Sequence, residues 1–179
     1  ILSEKINPQN NFGIQKAQLF SKIEEVELML KEYLDEMERN PAKKQMVTSQ
    51  IQKFLDNDGI KSDKNYKLVK KLLLLKVRSE QERTDFSEML IWFFMQNHQF
   101  KMALIQAKAL DKRTNSEGAG VYDLAEIFLD KGDFELAEQA YNYVIAKGVK
   151  NQFFIKANIN RLYALTKRGS VRNENLSFL

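Results

Sequence analysis

The stretch Leu129–Gly148, LDKGDFELAEQAYNYVIAKG, carries the clearest helix signal in the chain. Four residues recur there at spacings of three, four and three, which places them on one face of a helix: Phe134, Ala137, Tyr141 and Val144. This face alternates large and small side chains. Because two helices that cross closely need a small residue at the crossing, we expect Ala137 to lie where a neighbouring helix passes.

The same pattern occurs 34 residues upstream. The stretch Ser87–Leu110 aligns without gaps to Val121–Val144. The matched pairs are Leu90 with Leu124, Phe94 with Phe128, Phe100 with Phe134, and Ala103 with Ala137. Self-similarity at this period indicates repeated pairs of helices joined by tight turns.

These residues resemble the tetratricopeptide repeat family. The unit 118–151 matches it over nearly its whole length, with Val121, Leu124, Ala125 and Phe128 in the first helix, Gly132 in the turn, and Ala137, Tyr141 and Val144 in the second helix. The unit 84–117 is similar but has Ile91 at the small position, His98 at the turn glycine and Ala107 at the second-helix aromatic. The resemblance implies an all-α fold, a right-handed superhelix (α-solenoid) of antiparallel helix pairs.

The expected organisation follows this resemblance. Residues 1–83 form an N-terminal helical region with a long first helix and a degenerate helix pair, 84–117 and 118–151 are repeats, and 152–179 begin a further, truncated repeat. The periodic segments predict helices at about 14–37, 43–55, 63–78, 84–97, 99–111, 118–131, 133–147 and 151–168. The tail GSVRNENLSFL is expected to be a loop. We also expect a fragment of a longer, bacterial protein of this family, since the chain opens with Ile1 rather than Met.

The first predicted helix, 14–37, has a heptad-like seam. Its apolar positions step alternately by four and three: Leu19, Ile23, Val26, Leu30, Tyr33 and Met37. Asn40 and Pro41 end it. We favour packing within its own chain, and coiled-coil pairing with a second copy is the alternative.

Composition excludes several classes of protein. The chain has no cysteine, which excludes disulfides and thiolate chemistry. Its longest apolar run is Met89–Met95, far shorter than the ~20 residues of a membrane-spanning helix. Only 2 prolines and 7 glycines among 179 residues favour helices over an all-β fold.

Charge is distributed in alternating blocks. Residues 1–60 and 79–145 are net acidic, whereas 61–78 and 146–179 are net basic. The basic helix Lys61–Arg78 has two interpretations. It could bind phosphates or anionic lipid, or it could be a solvated lysine face over a core stripe of Leu68, Leu72 and Leu75, balanced by the acidic helices of 79–145. We favour the second.

Candidate chemical sites are weak. His98 is the only histidine, so it cannot form a usual zinc site and is expected to face solvent in a turn. The segment Leu55–Asp63 resembles a calcium-binding loop but lacks the first acidic ligand and the final glutamate, so we interpret it as a turn. We therefore predict no catalytic residue, no metal, no cofactor and no small-molecule substrate.

Trp92 is the best candidate for a binding residue. If Leu90 and Phe94 face the core, Trp92 faces elsewhere, and the long first helix folding back over it is the alternative. The resemblance implies a groove lined by the first helices of successive pairs, with Glu88, Trp92, Met95, Tyr122, Glu126, Leu129, Lys156, Asn160 and Tyr163. It also implies a non-catalytic scaffold that binds a peptide, helix or subunit of a partner protein. The alternative is nucleic-acid or anionic-surface binding through the basic helices 61–78 and 146–172.

Overall fold

The computed structural model describes residues 12–57 and 63–177, without the side chains of 57 and 170–177. Within these residues the fold is all-α, with nine α-helices and no strand. The helices are α1 Gly13–Lys22, α2 Val26–Arg39, α3 Lys44–Asn57, α4 Asp63–Ser79, α5 Asp85–Gln96, α6 Phe100–Thr114, α7 Ala119–Asp130, α8 Phe134–Ile145 and α9 Phe154–Ser177. A short 3-10 helix, Pro41–Lys43, precedes α3. The chain divides into two compact units, with the boundary inside α5 between Met89 and Leu90.

The prediction of one long helix over 14–37 is wrong, because the chain turns between α1 and α2. Glu24 has a positive φ of 60°, and its N–H donates to the Ser21 carbonyl while the Glu25 N–H donates to the Phe20 carbonyl. This pair of hydrogen bonds is the Schellman ending of a helix. Two residues of the expected seam are consequently exposed, Leu19 at 58% and Ile23 at 56%.

The N-terminal unit has its core between α2, α3, α4 and the start of α5. The core side chains are Met29, Leu30, Tyr33, Leu34, Met37, Val47, Ile51, Val69, Leu72, Leu73, Phe86 and Met89. The core stripe predicted for the basic helix differs from the observed one. Leu75 is 52% exposed and Leu68 is half-buried, whereas Val69 and Leu73 are buried. The apolar face of α4 is therefore rotated from the predicted one.

Charged side chains join the helices of the N-terminal unit. Lys76 on α4 forms ion pairs with Asp35, at 2.7 Å, and with Glu38, both on α2. Glu36 is buried and pairs with Arg39 and Lys43. The counter-charges of Lys76 thus come from α2.

Two further helix turns have the same geometry as the Glu24 turn. His98 has φ 56° and Gly132 has φ 75°. In both turns this residue donates its N–H three residues back, and the next residue donates five residues back, so both are Schellman endings. His98 is exposed, as expected of a turn residue, and lies 34 residues before Gly132.

In the C-terminal unit, the matched positions share their burial. Each of the pairs Leu90 and Leu124, Phe94 and Phe128, and Ala103 and Ala137 is buried, while Phe100 and Phe134 are both half-buried. Ala125, Tyr141, Val144 and the α9 residues Ala157 and Ala164 are buried in this unit as well. The prediction that the tail GSVRNENLSFL is a loop is wrong for its described part, because α9 continues to Ser177.

Candidate binding surface

Three predicted groove residues meet in the C-terminal unit. Tyr122 and Glu126 lie one turn apart on α7, and Asn160 lies on α9. The Glu126 carboxylate accepts hydrogen bonds from Asn160 Nδ2, at 2.8 Å, and from the hydroxyl of Tyr141 on α8. The Glu126 side chain therefore connects three consecutive helices.

The aromatic rings beside this carboxylate are packed together. The Tyr122 ring stacks on Phe153, with centroids 4.9 Å apart, and meets the Tyr141 ring edge-on at 5.9 Å. Burial, and then the neighbouring Glu126 carboxylate, raise the pKa of both tyrosine hydroxyls. The shift reflects hydrogen bonding and burial, since a phenol at its ordinary pKa is already protonated at neutral pH.

Two predicted groove residues on α9 are open to solvent. Tyr163 is 50% exposed and Lys156 is exposed. The Lys167 ammonium lies 5.5 Å from the centroid of the Tyr163 ring. An exposed tyrosine beside a cation can bind an aromatic, aliphatic or carboxylate group of a protein ligand.

Of the remaining predicted groove residues, Glu88, Trp92 and Met95 lie on α5 and Leu129 lies on α7. Glu88 belongs to the N-terminal unit, where it forms an ion pair with Lys44. Trp92 is half-buried. Met95 and Leu129 are half-buried and pack against the core of the C-terminal unit.

Two pairs of hydrogen-bonded residues lie 34 positions apart. Asn160 Nδ2 donates to Glu126, and Asn151 Nδ2 donates to the Glu117 carbonyl at 2.7 Å. This separation equals the spacing at which the stretch Ser87–Leu110 resembles Val121–Val144 in sequence.

Sequence reasoning did not identify Phe153 or the buried Asp111. Phe153 lies in the turn before α9, and its ring contact with Tyr122 is a tertiary contact that helical spacing does not indicate. Asp111 is 2% exposed and accepts hydrogen bonds from Ser116 Oγ at 2.8 Å and the Gly118 N–H at 2.6 Å. Its other oxygen accepts from Tyr143 Oη at 2.7 Å and pairs with Lys147.

These contacts set the ionisation of Asp111. Burial would raise its pKa, but the hydrogen bonds from Lys147, Tyr143, Gly118 and Ser116 outweigh burial and lower the pKa to about 2. Through these hydrogen bonds the Asp111 carboxylate links the turn after α6 to α8. We interpret it as a structural anchor, because every contact around it is internal.

Two other segments were considered as candidate sites, the turn at His98 and the turn that resembles a calcium loop. His98 packs edge-on against Phe100, with centroids 5.7 Å apart. Most of the turn resembling a calcium loop, at 58–62, lies outside the described residues. In the described ranges, no cluster of three His, Asp or Glu side chains could hold a metal ion. Among the helices of that same part of the chain, none has the length and apolar character needed to cross a membrane.

Comparisons with protein-family models, with curated protein sequences and with solved structures found no match to this chain.

Proposed function

We propose that this protein is a non-catalytic scaffold, built from tetratricopeptide-like helix pairs, that binds a peptide, helix or subunit of a partner protein. The observation that carries the proposal is the pair of 34-residue contacts, Glu117 with Asn151 and Glu126 with Asn160. Contacts between residues 34 positions apart support the proposal, because helix pairs that stack with a constant offset bring such residues together. In arrays of this kind the first helices lie side by side and form a groove.

The chemistry of the groove fits a protein ligand. Tyr122 and Glu126 are held rigid by Phe153, Tyr141 and Asn160, so they lose little entropy on binding. Tyrosines are frequent energetic anchors of interfaces. The exposed Tyr163, with Lys167 against its ring, extends this surface along α9. We expect it to prefer ligands with an apolar or aromatic residue next to an acidic one.

A phage-displayed library of random peptides tests this proposal. Peptides selected on the wild-type chain are titrated against Tyr163→Ala and against Lys101→Ala, a matched truncation of an exposed residue on α6. We expect Tyr163→Ala to weaken binding by about tenfold, as loss of an interface anchor does, and Lys101→Ala to leave it unchanged. If no peptide is selected, or if both variants bind equally well, the binding surface does not include Tyr163 on α9.

A second candidate function is binding of an anionic surface through α4. Leu74 and Leu75 are 39% and 52% exposed, on the same face as Lys67, Lys71 and Arg78. Exposed leucines among cations are typical of segments that lie on anionic membranes. The other basic segment of this alternative, 146–172, contributes less, because Lys147 pairs with Asp111 and Arg168 with Glu138.

Vesicle sedimentation tests the second candidate. If it holds, the chain sediments with vesicles containing phosphatidylserine and not with neutral phosphatidylcholine, and Leu75→Asp abolishes this binding. Retention on DNA that falls steeply with salt and survives Leu75→Asp would indicate a phosphate-binding face instead. Absence of both results would eliminate α4 as a binding surface.

A further inference from the structure

The outer face of α9 carries an exposed apolar stripe. Ile155, Ile159 and Leu162 are 71%, 60% and 56% exposed. Their spacing of four and three residues places them within about 60° of one another around the helix. The buried residues Ala157 and Ala164 lie on the opposite side, facing the core shared with α8.

The stripe repeats a face that α7 buries. Ile155, Ile159 and Leu162 follow Val121, Ala125 and Phe128 by 34 residues each, and those three side chains are fully buried. The α7 residues share one core with Ala137, Tyr141 and Val144 of α8. On α7 the equivalent face is thus covered by a helix, whereas on α9 it is open.

A helix fits the stripe better than a membrane does. The steps of four and three are those of a coiled-coil seam. A helix lying in a membrane interface needs a broad apolar face with cations along its polar side. Here the described lysines nearest the stripe, Lys156 and Lys167, lie along one edge.

The charge of α9 indicates which kind of helix could bind to the stripe. Between Phe154 and Gly169, α9 has no Asp or Glu, and two of its cations, Lys156 and Lys167, lie beside the stripe. A second copy of α9 on the stripe would bring like charges together, which is unfavourable. A helix with acidic residues beside its apolar seam would instead pair with these lysines.

We propose that the stripe Ile155, Ile159 and Leu162 is a docking site for an acidic amphipathic helix of a partner protein, which would cover α9 as α8 covers α7. This site lies beside the groove of the proposed function and does not depend on it. Since Ile159 replaces Ala125 at the crossing, the docked helix needs a small residue there, as α8 has Ala137.

The probe is a fluorescein-labelled peptide with the α8 sequence, DFELAEQAYNYVIAK, residues 133–147, which has the required seam and three acids against one lysine. It is titrated by anisotropy with the full chain at low salt, up to millimolar concentration, so that a weakly helical peptide still registers. We expect saturable binding. Ile159→Asp should weaken it by about tenfold or more, because burial of one isoleucine corresponds to at least that factor.

Matched controls separate the stripe from general effects. Ile127→Asp places the same change on an exposed α7 residue and should leave the affinity unchanged. A peptide with its acids replaced by lysines should bind more weakly to the wild-type chain. Circular dichroism of each variant checks that the helices are retained.

Several outcomes would overturn the proposal. These are absence of saturable binding, binding unaffected by Ile159→Asp, and equal binding of the lysine-substituted peptide. Vesicle binding lost in Ile159→Asp, with none of the peptide, would make the stripe a membrane surface. A dimer seen by light scattering and lost in Ile159→Asp would make the occupant a second copy. Because the groove is tested by Tyr163→Ala with selected peptides, either site can fail without the other.

Discussion

Replacing Glu24 by glycine should stabilise the protein, although it removes a side chain from a turn between two helices. Glu24 has φ 60°, a left-handed conformation that costs a residue with a Cβ about 1–2 kcal/mol. Glycine adopts it freely but loses about 0.5–1 kcal/mol more backbone entropy on folding. The expected net gain in the free energy of unfolding is about 0.5–1 kcal/mol.

Urea denaturation followed by far-UV circular dichroism measures this gain. For an m-value near 2 kcal/mol/M, the unfolding midpoint of the N-terminal unit should rise by about 0.4 M at constant m. Glu24→Ala keeps the positive φ and removes the same charge, so it should leave the midpoint nearly unchanged. Lys22→Gly, in the last turn of α1, should lower the midpoint, because glycine costs about 0.5–1 kcal/mol in a helix.

The sign of the effect decides between two structures. If residues 14–37 formed the single helix predicted from their heptad spacing, Glu24→Gly would destabilise the chain as much as Lys22→Gly does. A fall in the Glu24→Gly midpoint would therefore refute the turn between α1 and α2. A gain in Glu24→Ala equal to that of Glu24→Gly would attribute the effect to charge and refute the conformational explanation.

Three other substitutions follow from the C-terminal unit. Gly132→Ala should lower stability by about 0.5–1 kcal/mol, because φ is 75° while an added Cβ meets no atom within 4 Å; an unchanged urea midpoint would contradict this cost. Ala137→Leu should overpack the fully buried crossing and cost about 1–3 kcal/mol, and unchanged thermal unfolding would argue against a close crossing. Asp111 has a pKa of about 2 in the folded chain, below its ordinary 3.8, so its stabilisation of about 2 kcal/mol is complete above pH 4 and is lost as the pH falls toward 2. Asp111→Asn should therefore be less stable at pH 7 and should lose less stability than the wild type between pH 4 and 2; parallel pH profiles of the urea midpoint would disprove this role.

The sequence by itself determined the helical class and most helix positions. Apolar residues at three- and four-residue spacing locate α3 to α8, because a helix must bury one continuous face. The 34-residue offset also correctly matched buried positions such as Phe94 with Phe128 and Ala103 with Ala137. Equivalence of His98 and Gly132 was visible in the same alignment, and both end a helix with a positive φ.

Only the tertiary structure decided the break at Glu24. Heptad spacing of Leu19, Ile23 and Val26 is compatible with one helix or with two helices joined by a turn, since no glycine or proline marks the turn. In the folded chain α1 and α2 pack against each other, and Ala17 rather than Leu19 is buried. Packing thus outweighed both the periodicity and the cost of a left-handed glutamate.

The candidate surface was likewise only partly determined by sequence. The sequence predicted that Tyr122, Glu126 and Asn160 share one surface, and in the folded chain Asn160 donates a hydrogen bond to Glu126. The contribution of Phe153 and the separation of Glu88 into the N-terminal unit depend on how turns place helices in three dimensions, which no periodicity records. Helical spacing specifies which residues share a face, and tertiary packing decides which faces remain open, as it does for Ile155, Ile159 and Leu162.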